Sequence, residues 1–142
     1  GSVAYRIRAL QDRLGGEWQV EEGAVSAAIW RRVRDVTDFA GRDGVVWRVS
    51  VKPSDALDVV TGLDAEAVFD WGGGLIWIAV QGLADAGAGL IRGAVAGVGH
   101  ATLLRGAGAA AFAPEAAGVA ALSRALRAKF DPKGILNAGI MG

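Results

Sequence analysis

An α+β domain carrying a four-stranded antiparallel sheet is the fold this sequence predicts, on three observations. From Val45 to Lys52 the hydrophobic period is two: Val45, Trp47, Val49 and Val51 alternate with Val46, Arg48, Ser50 and Lys52, so one face of a strand is wholly apolar. Gly72-Gly73-Gly74 separates two apolar, aromatic-rich runs, 65–71 and 75–80, which is a hairpin signal. Helical spacing precedes and follows that hairpin, and a last short apolar run, His100 to Arg105, reads as a strand. The resulting order from Val45 to Arg105 is strand, helix, strand, strand, helix, strand. It is the ferredoxin-like (βαββαβ) arrangement, with the helices on one face of the sheet.

The other elements follow in chain order. Val3, Ile7, Leu10 and Leu14 recur at helical spacing, and Gly15-Gly16 ends that helix. Val25, Ile29, Val33 and Val36 mark the apolar side of a second, ending near Thr37. Pro53-Ser54 opens a short helix carrying Leu57 and Val60, closed by Gly62. Leu90, Ile91, Ala94, Val95 and Val98 predict a helix over 85–98, which Gly87, Gly89, Gly93 and Gly97 weaken. After an Ala- and Gly-rich loop from Gly106 to Pro114, Val119, Leu122, Leu126 and Phe130 form one face of a last helix. Asp131-Pro132 stops it, because the residue before proline avoids helical geometry. Three sections result: a helical 1–44, the sheet at 45–105, and a loop, helix and tail at 106–142.

Composition removes whole classes of function. The 142 residues include no cysteine, so a disulfide framework, a thiolate zinc site, an iron–sulfur ligand set and a cysteine nucleophile are impossible within the chain. One histidine, His100, precludes a two-histidine metal site, and no metal is expected. Fifteen basic and fifteen acidic residues cancel, giving no global field for nucleic acid or an anionic membrane. No stretch reaches the roughly 18 consecutive apolar residues of a membrane span, and the first residues lack the order of a signal peptide. The sequence therefore reads as a soluble chain.

Few residues have chemistry in view. None of the five serines lies in a nucleophile-elbow setting that His100 could activate. Gly87, Gly89 and Gly93 resemble a loose dinucleotide fingerprint, but the antiparallel hairpin before them is the wrong context, and close helix packing explains them better. Arg124, Arg127, Lys129 and Lys133 gather where cations meet the negative end of the last helix dipole. Of the five tryptophans, Trp47, Trp71 and Trp77 fall on predicted strands and most are expected in the core, with one or two left to line a pocket.

The most specific string is Phe130-Asp131-Pro132-Lys133-Gly134-Ile135-Leu136-Asn137-Ala138-Gly139. It resembles the C-terminal signature F-D-P-x-G-I-L-N-P-G of FAD-linked oxidases of the vanillyl-alcohol oxidase type, with Ala138 where the family has proline. Trp47-Arg48-Val49-Ser50, Asp70-Trp71-Gly72-Gly73-Gly74-Leu75-Ile76-Trp77 and Gly99-His100-Ala101-Thr102-Leu103-Leu104-Arg105 narrow the resemblance to the FAD-binding E subunits of bacterial glycolate oxidases, over nearly the whole chain.

That resemblance implies a cap or substrate domain with its C-terminal tail, the family's N-terminal FAD-binding domain being absent from these residues. It implies oxidation of glycolate, a small 2-hydroxy acid, to glyoxylate, with FAD as cofactor of the intact subunit. The implied partners are a catalytic flavoprotein subunit and an iron–sulfur subunit. The implied location is cytoplasmic, peripheral to the inner membrane through those partners. In such a family the cap sheet lies over the flavin, so side chains opposite the helices are candidates. Arg48 comes first for binding a substrate carboxylate, because a guanidinium pairs with carboxylate through two hydrogen bonds. His100 and Arg105 follow as substrate-binding candidates and Asn137 as a cofactor-binding one. Alone, the chain is expected to be inactive and not to retain FAD. The competing reading is a stand-alone ferredoxin-like module, an amino-acid sensor or RNA reader, although no basic-Gly-aromatic RNA-binding string occurs.

Overall fold

The computed structural model of the chain describes residues 1–137. It forms two compact units, Gly1–Thr37 and Asp38–Gly142. The first holds α1 (Ser2–Leu14) and α2 (Gly23–Arg34), neither of which buries a residue. Gly15, at φ 64°, ends α1, and its carbonyl accepts the Trp18 indole N–H at 2.8 Å. After α3 (Thr37–Ala40), which buries Phe39, the second unit is organised by its sheet.

The strands are β1 (Val45–Val51), β2 (Glu66–Asp70), β3 (Leu75–Val80) and β4 (Gly99–Arg105). They lie in the order β2-β3-β1-β4, and each neighbouring pair is antiparallel. This is the ferredoxin-like order that the element sequence predicts. Between β1 and β2 come a 3₁₀ turn at Pro53–Asp55 and α4 (Ala56–Val60), and between β3 and β4 comes α5 (Ala88–Ala94).

Register separates the two faces. Trp47 pairs with Ile78 and Leu103, and Val49 with Ile76 and Ala101. These side chains form one core with Ala56 and Val59 of α4 and Ala88 and Ile91 of α5. The alternation read in β1 therefore points its apolar set at the helices. On the opposite face Arg48 pairs with Trp77 and Thr102, and Ser50 with Leu75 and His100. Near the end of β4 the partners jump from Leu103 opposite Trp47 to Arg105 opposite Val46, so Leu104 is a bulged extra residue, 52% exposed.

The two outer strands are treated differently. Alongside β4, the chain after Arg105 returns so that the Leu103 N–H donates to the Ala111 carbonyl at 2.8 Å. Arg92 of α5 holds the same stretch by donating to the Ala110 carbonyl at 2.6 Å. Strand β2 carries Glu66 and Asp70 at its ends, and Glu66 accepts from the Arg42 guanidinium at 2.6 Å.

Three expectations need correction. Trp71 is not in a strand: Trp71–Gly73 is a 3₁₀ turn, with Trp71 itself at φ 52°. The Asp70 carboxylate accepts the Trp71 N–H at 2.7 Å, which favours this tight turn over two more ladder residues. The tryptophans are mostly not core: Trp47 is fully buried, whereas Trp18, Trp30 and Trp71 are exposed and Trp77 is half-buried. The helix expected over 85–98 shortens to α5. Gly87 sits at φ 73° before it, and the Asp85 carboxylate takes the N–H groups of Gly87 and Gly89 at 2.9 and 2.8 Å. Those bonds hold the Asp85 carboxyl below its ordinary pKa.

The last helix, α6 (Ala117–Phe130), ends where the Asp131-Pro132 rule places it, yet buries nothing. Val119, Leu122, Leu126 and Phe130 are each more than half exposed. Beyond it Asp131, 9% exposed, is the buried polar residue of the described chain. Its carboxylate accepts the N–H groups of Ile135 and Leu136 at 3.1 and 2.8 Å, while Gly134 turns at φ 62° and donates to the Asp131 carbonyl at 3.0 Å. These bonds lower the Asp131 pKa, the Leu136 N–H most of all. A carboxyl with a depressed folded pKa contributes stability that is complete above its unfolded value of about 3.9 and is lost as pH falls through the folded value. Protection of the Ile135 and Leu136 amides, relative to their intrinsic exchange rates, is therefore expected to hold at pH 5 and to fall only in stronger acid. In Asp131→Ala both amides should exchange freely at either pH, and unchanged protection would remove the carboxylate from the turn. Residues 138–142, including Ala138 and Gly139 of the signature, lie outside the described residues.

Candidate functional site

The most reactive-looking surface is the sheet face opposite α4 and α5, and Arg48 is central on it. Strand β1 is an inner strand, so Arg48 is flanked across the ladder by Trp77 on β3 and Thr102 on β4. Its guanidinium carbon stands 5.7 Å from the centre of the Trp71 ring. A guanidinium over an aromatic face is attracted by the ring without spending its N–H donors on it. The positive-φ turn explains the contact, because it turns Trp71 out of the ladder and over the sheet face at β1. Arg48 is half-buried, and its guanidinium makes no hydrogen bond or ion pair among the described residues. A cation with unengaged donors has the chemistry to pair with a carboxylate.

Beside it, the Trp77 indole N–H is shielded from solvent and lacks an acceptor. The sequence places Trp77 on a strand but carries no signal for this orphaned donor.

The structure brings His100 to the same face, two residues along β4 from Thr102. His100 is exposed. Arg105 is placed differently: its guanidinium donates to the carbonyls of Gly44 at 3.0 Å, Phe39 at 2.9 Å and Ala40 at 3.4 Å. These bonds clamp the segment entering β1 onto the end of β4, so the donors proposed for a substrate are engaged with backbone. Asn137 ends the tail turn in the left-handed region, at φ 50°, and is exposed. Asn tolerates that conformation better than most residues, which gives its presence there a backbone reason.

Metal chemistry has no visible seat, since no group of three or more His, Asp or Glu side chains converges among the described residues. No helix among them is long and apolar enough to cross a membrane.

No family model matches the chain, and no solved structure matches it. Similarity to a known protein is nevertheless extensive. The chain is 32% identical over 136 residues to the glycolate oxidase subunit GlcE of Escherichia coli (strain K12), an alignment covering 95% of this chain and 35% of that protein. It thus spans about a third of the length of the curated relative it matches. What the chain resembles over nearly its whole length is therefore part of a glycolate oxidase subunit.

Proposed function

We propose that this chain is the part of a flavin-dependent 2-hydroxy-acid oxidoreductase subunit that caps the site where glycolate is oxidised to glyoxylate, with Arg48 orienting the substrate carboxylate. The observation that carries the reading is the similarity along 95% of the chain to a glycolate oxidase subunit. Arg48 adds to it the group such a reaction needs: a half-buried cation held by Trp71 with its edge donors free to grip a carboxylate. His100 lies on the same face and would meet the substrate from β4.

FAD is the cofactor this reading requires, and the residues present do not fit it. Its pyrophosphate needs a cradle of backbone N–H groups at a helix start. The glycine turn before α5 has such groups, but the Asp85 carboxylate already occupies them at 2.9 and 2.8 Å and would repel an anion. The cofactor would be held by other residues of the intact subunit, with Asn137 near it. The exposed apolar side of α6, with Ile135 and Leu136, would rest on that remainder, and the catalytic flavoprotein and iron–sulfur subunits would complete the enzyme.

In the assembled enzyme, Arg48→Ala is expected to lower kcat/KM for glycolate by roughly 30-fold, which corresponds to about 2 kcal/mol for a lost charge-assisted carboxylate pair. The melting temperature of the variant chain should stay within about 2 °C, since a side chain opposite the core is truncated. Steady-state kinetics alongside the melt check this, and unchanged kinetics would take Arg48 out of the site. A flavin titration of the chain alone should leave FAD unbound; stoichiometric yellow protein after desalting would show that a cradle exists here.

A further inference from the structure

A cavity of about 600 Å³ opens between β4 and α6. Small-molecule sites commonly enclose about 300–1,000 Å³, with mostly apolar walls and a few converging polar groups. This one has that make-up. Phe112 and Pro114 supply apolar wall, and His100, Thr102, Arg124 and Arg127 supply the polar lining. The one carboxylate in the lining, that of Glu115, is engaged by the Ser123 hydroxyl, which donates to it at 2.9 Å. Arg124 makes no hydrogen bond or ion pair among the described residues. The Arg124 guanidinium therefore brings a positive charge and a set of unengaged donors to the cavity.

We propose that this cavity binds a small amphipathic organic acid, its carboxylate at Arg124 and its apolar body against Phe112 and Pro114. A two-carbon hydroxy acid has no apolar body to cover Phe112 and would leave most of the volume to water, so the ligand class differs from the substrate assigned above. The inference does not rest on the glycolate reading: charge, volume and wall chemistry carry it. Thr102, the register partner of Arg48, and His100, a candidate of the substrate face, both line the cavity, so the two places adjoin along β4 and are separated experimentally by their own arginines.

The test is calorimetric titration of the 142-residue chain with 4-phenylbutyrate, its uncharged amide and glycolate. Saturable binding of phenylbutyrate is expected, at least tenfold tighter than the amide, with no saturable signal from glycolate. Arg124→Gln should weaken phenylbutyrate at least tenfold and Phe112→Ala several-fold, both without a change in melting temperature, because both side chains are exposed. Arg48→Ala should leave the titration unchanged. Equal binding of acid and amide, binding of glycolate as tight as that of phenylbutyrate, no saturable heat at millimolar ligand, or indifference to Arg124→Gln would each overturn the proposal. Weakening by Arg48→Ala would overturn its separateness from the substrate face. None of these outcomes depends on the kinetics of the assembled enzyme, so the two readings fail separately.

Discussion

Trp47→Ala is expected to destabilise the sheet unit by about 3–5 kcal/mol, the usual cost of emptying a large aromatic site in a core. Trp47 is fully buried at the junction of β1, β3 and β4, opposite Ile78 and Leu103. Its indole N–H donates to the Ala86 carbonyl at 2.7 Å, tying the sheet to the turn before α5. Arg92 lies 5.2 Å from its ring centre, and the Arg92 Nε is itself buried without a partner. Truncation would therefore leave a void and an orphaned carbonyl and would strip the ring from beside the Arg92 guanidinium. Trp47→Phe keeps most of the packing and removes the hydrogen bond, so its loss should be nearer 1–2 kcal/mol, about the price of one unsatisfied buried group. Chemical denaturation of both variants checks the pair. A loss below about 1 kcal/mol for the alanine variant would contradict the burial of this side chain.

Gly99→Val is expected to cost about 3 kcal/mol, at the top of the usual range for overpacking, because the obstacle is backbone. A Cβ at Gly99 falls well inside 3.0 Å of the Ser50 carbonyl oxygen and the Val51 Cγ1. Ser50 and Val51 belong to the central strand and cannot withdraw without breaking its pairing with β3, so β4 would have to part from β1 at its first residue. The neighbouring His100 would move with it. Gly93→Ala is the control: it lies within α5, a Cβ there meets nothing within 4 Å, and alanine should gain roughly 0.5–1 kcal/mol of helix stability. Equal melting temperatures for Gly99→Val and the native chain would show that the close approach of β1 and β4 is relaxed in solution.

Much of the sheet was legible because its signals are local. The β1 alternation and the glycine link are read within a few residues, and an apolar face on an inner strand has one place to go. What was not legible depends on partners far along the chain. Arg48 and Arg105 both follow an outward rhythm, yet the carbonyls that engage Arg105 belong to residues 61 to 66 positions earlier. Nothing in the short string around either arginine distinguishes them. Trp71 was misplaced because three following glycines permit several turns, and the Asp70 carboxylate selects one. The helical period found the apolar stripe of α6 but carries no statement of what covers it, so Leu122 and Phe130 look the same in sequence whether buried or bare. Asp131 did have a signal, since aspartate before Pro-x-Gly offers a carboxylate to the turn that proline and glycine create; it was read as a helix stop, and its role as an acceptor for the tail was missed.

The unequal treatment of the outer strands bears on whether the sheet can grow from one copy to the next. An uncovered strand edge is a template on which another molecule can add its own strand. The returning segment closes that route at β4 through the Ala111 carbonyl. At β2 the strand is only five residues long and is bracketed by the carboxylates of Glu66 and Asp70. Two copies meeting there in antiparallel fashion would gain few ladder bonds and would crowd the Arg42–Glu66 ion pair of one against Asp70 of the other. Short length and crowded charged ends thus oppose at one margin of the sheet what a covering segment opposes at the other, the growth of the sheet from copy to copy.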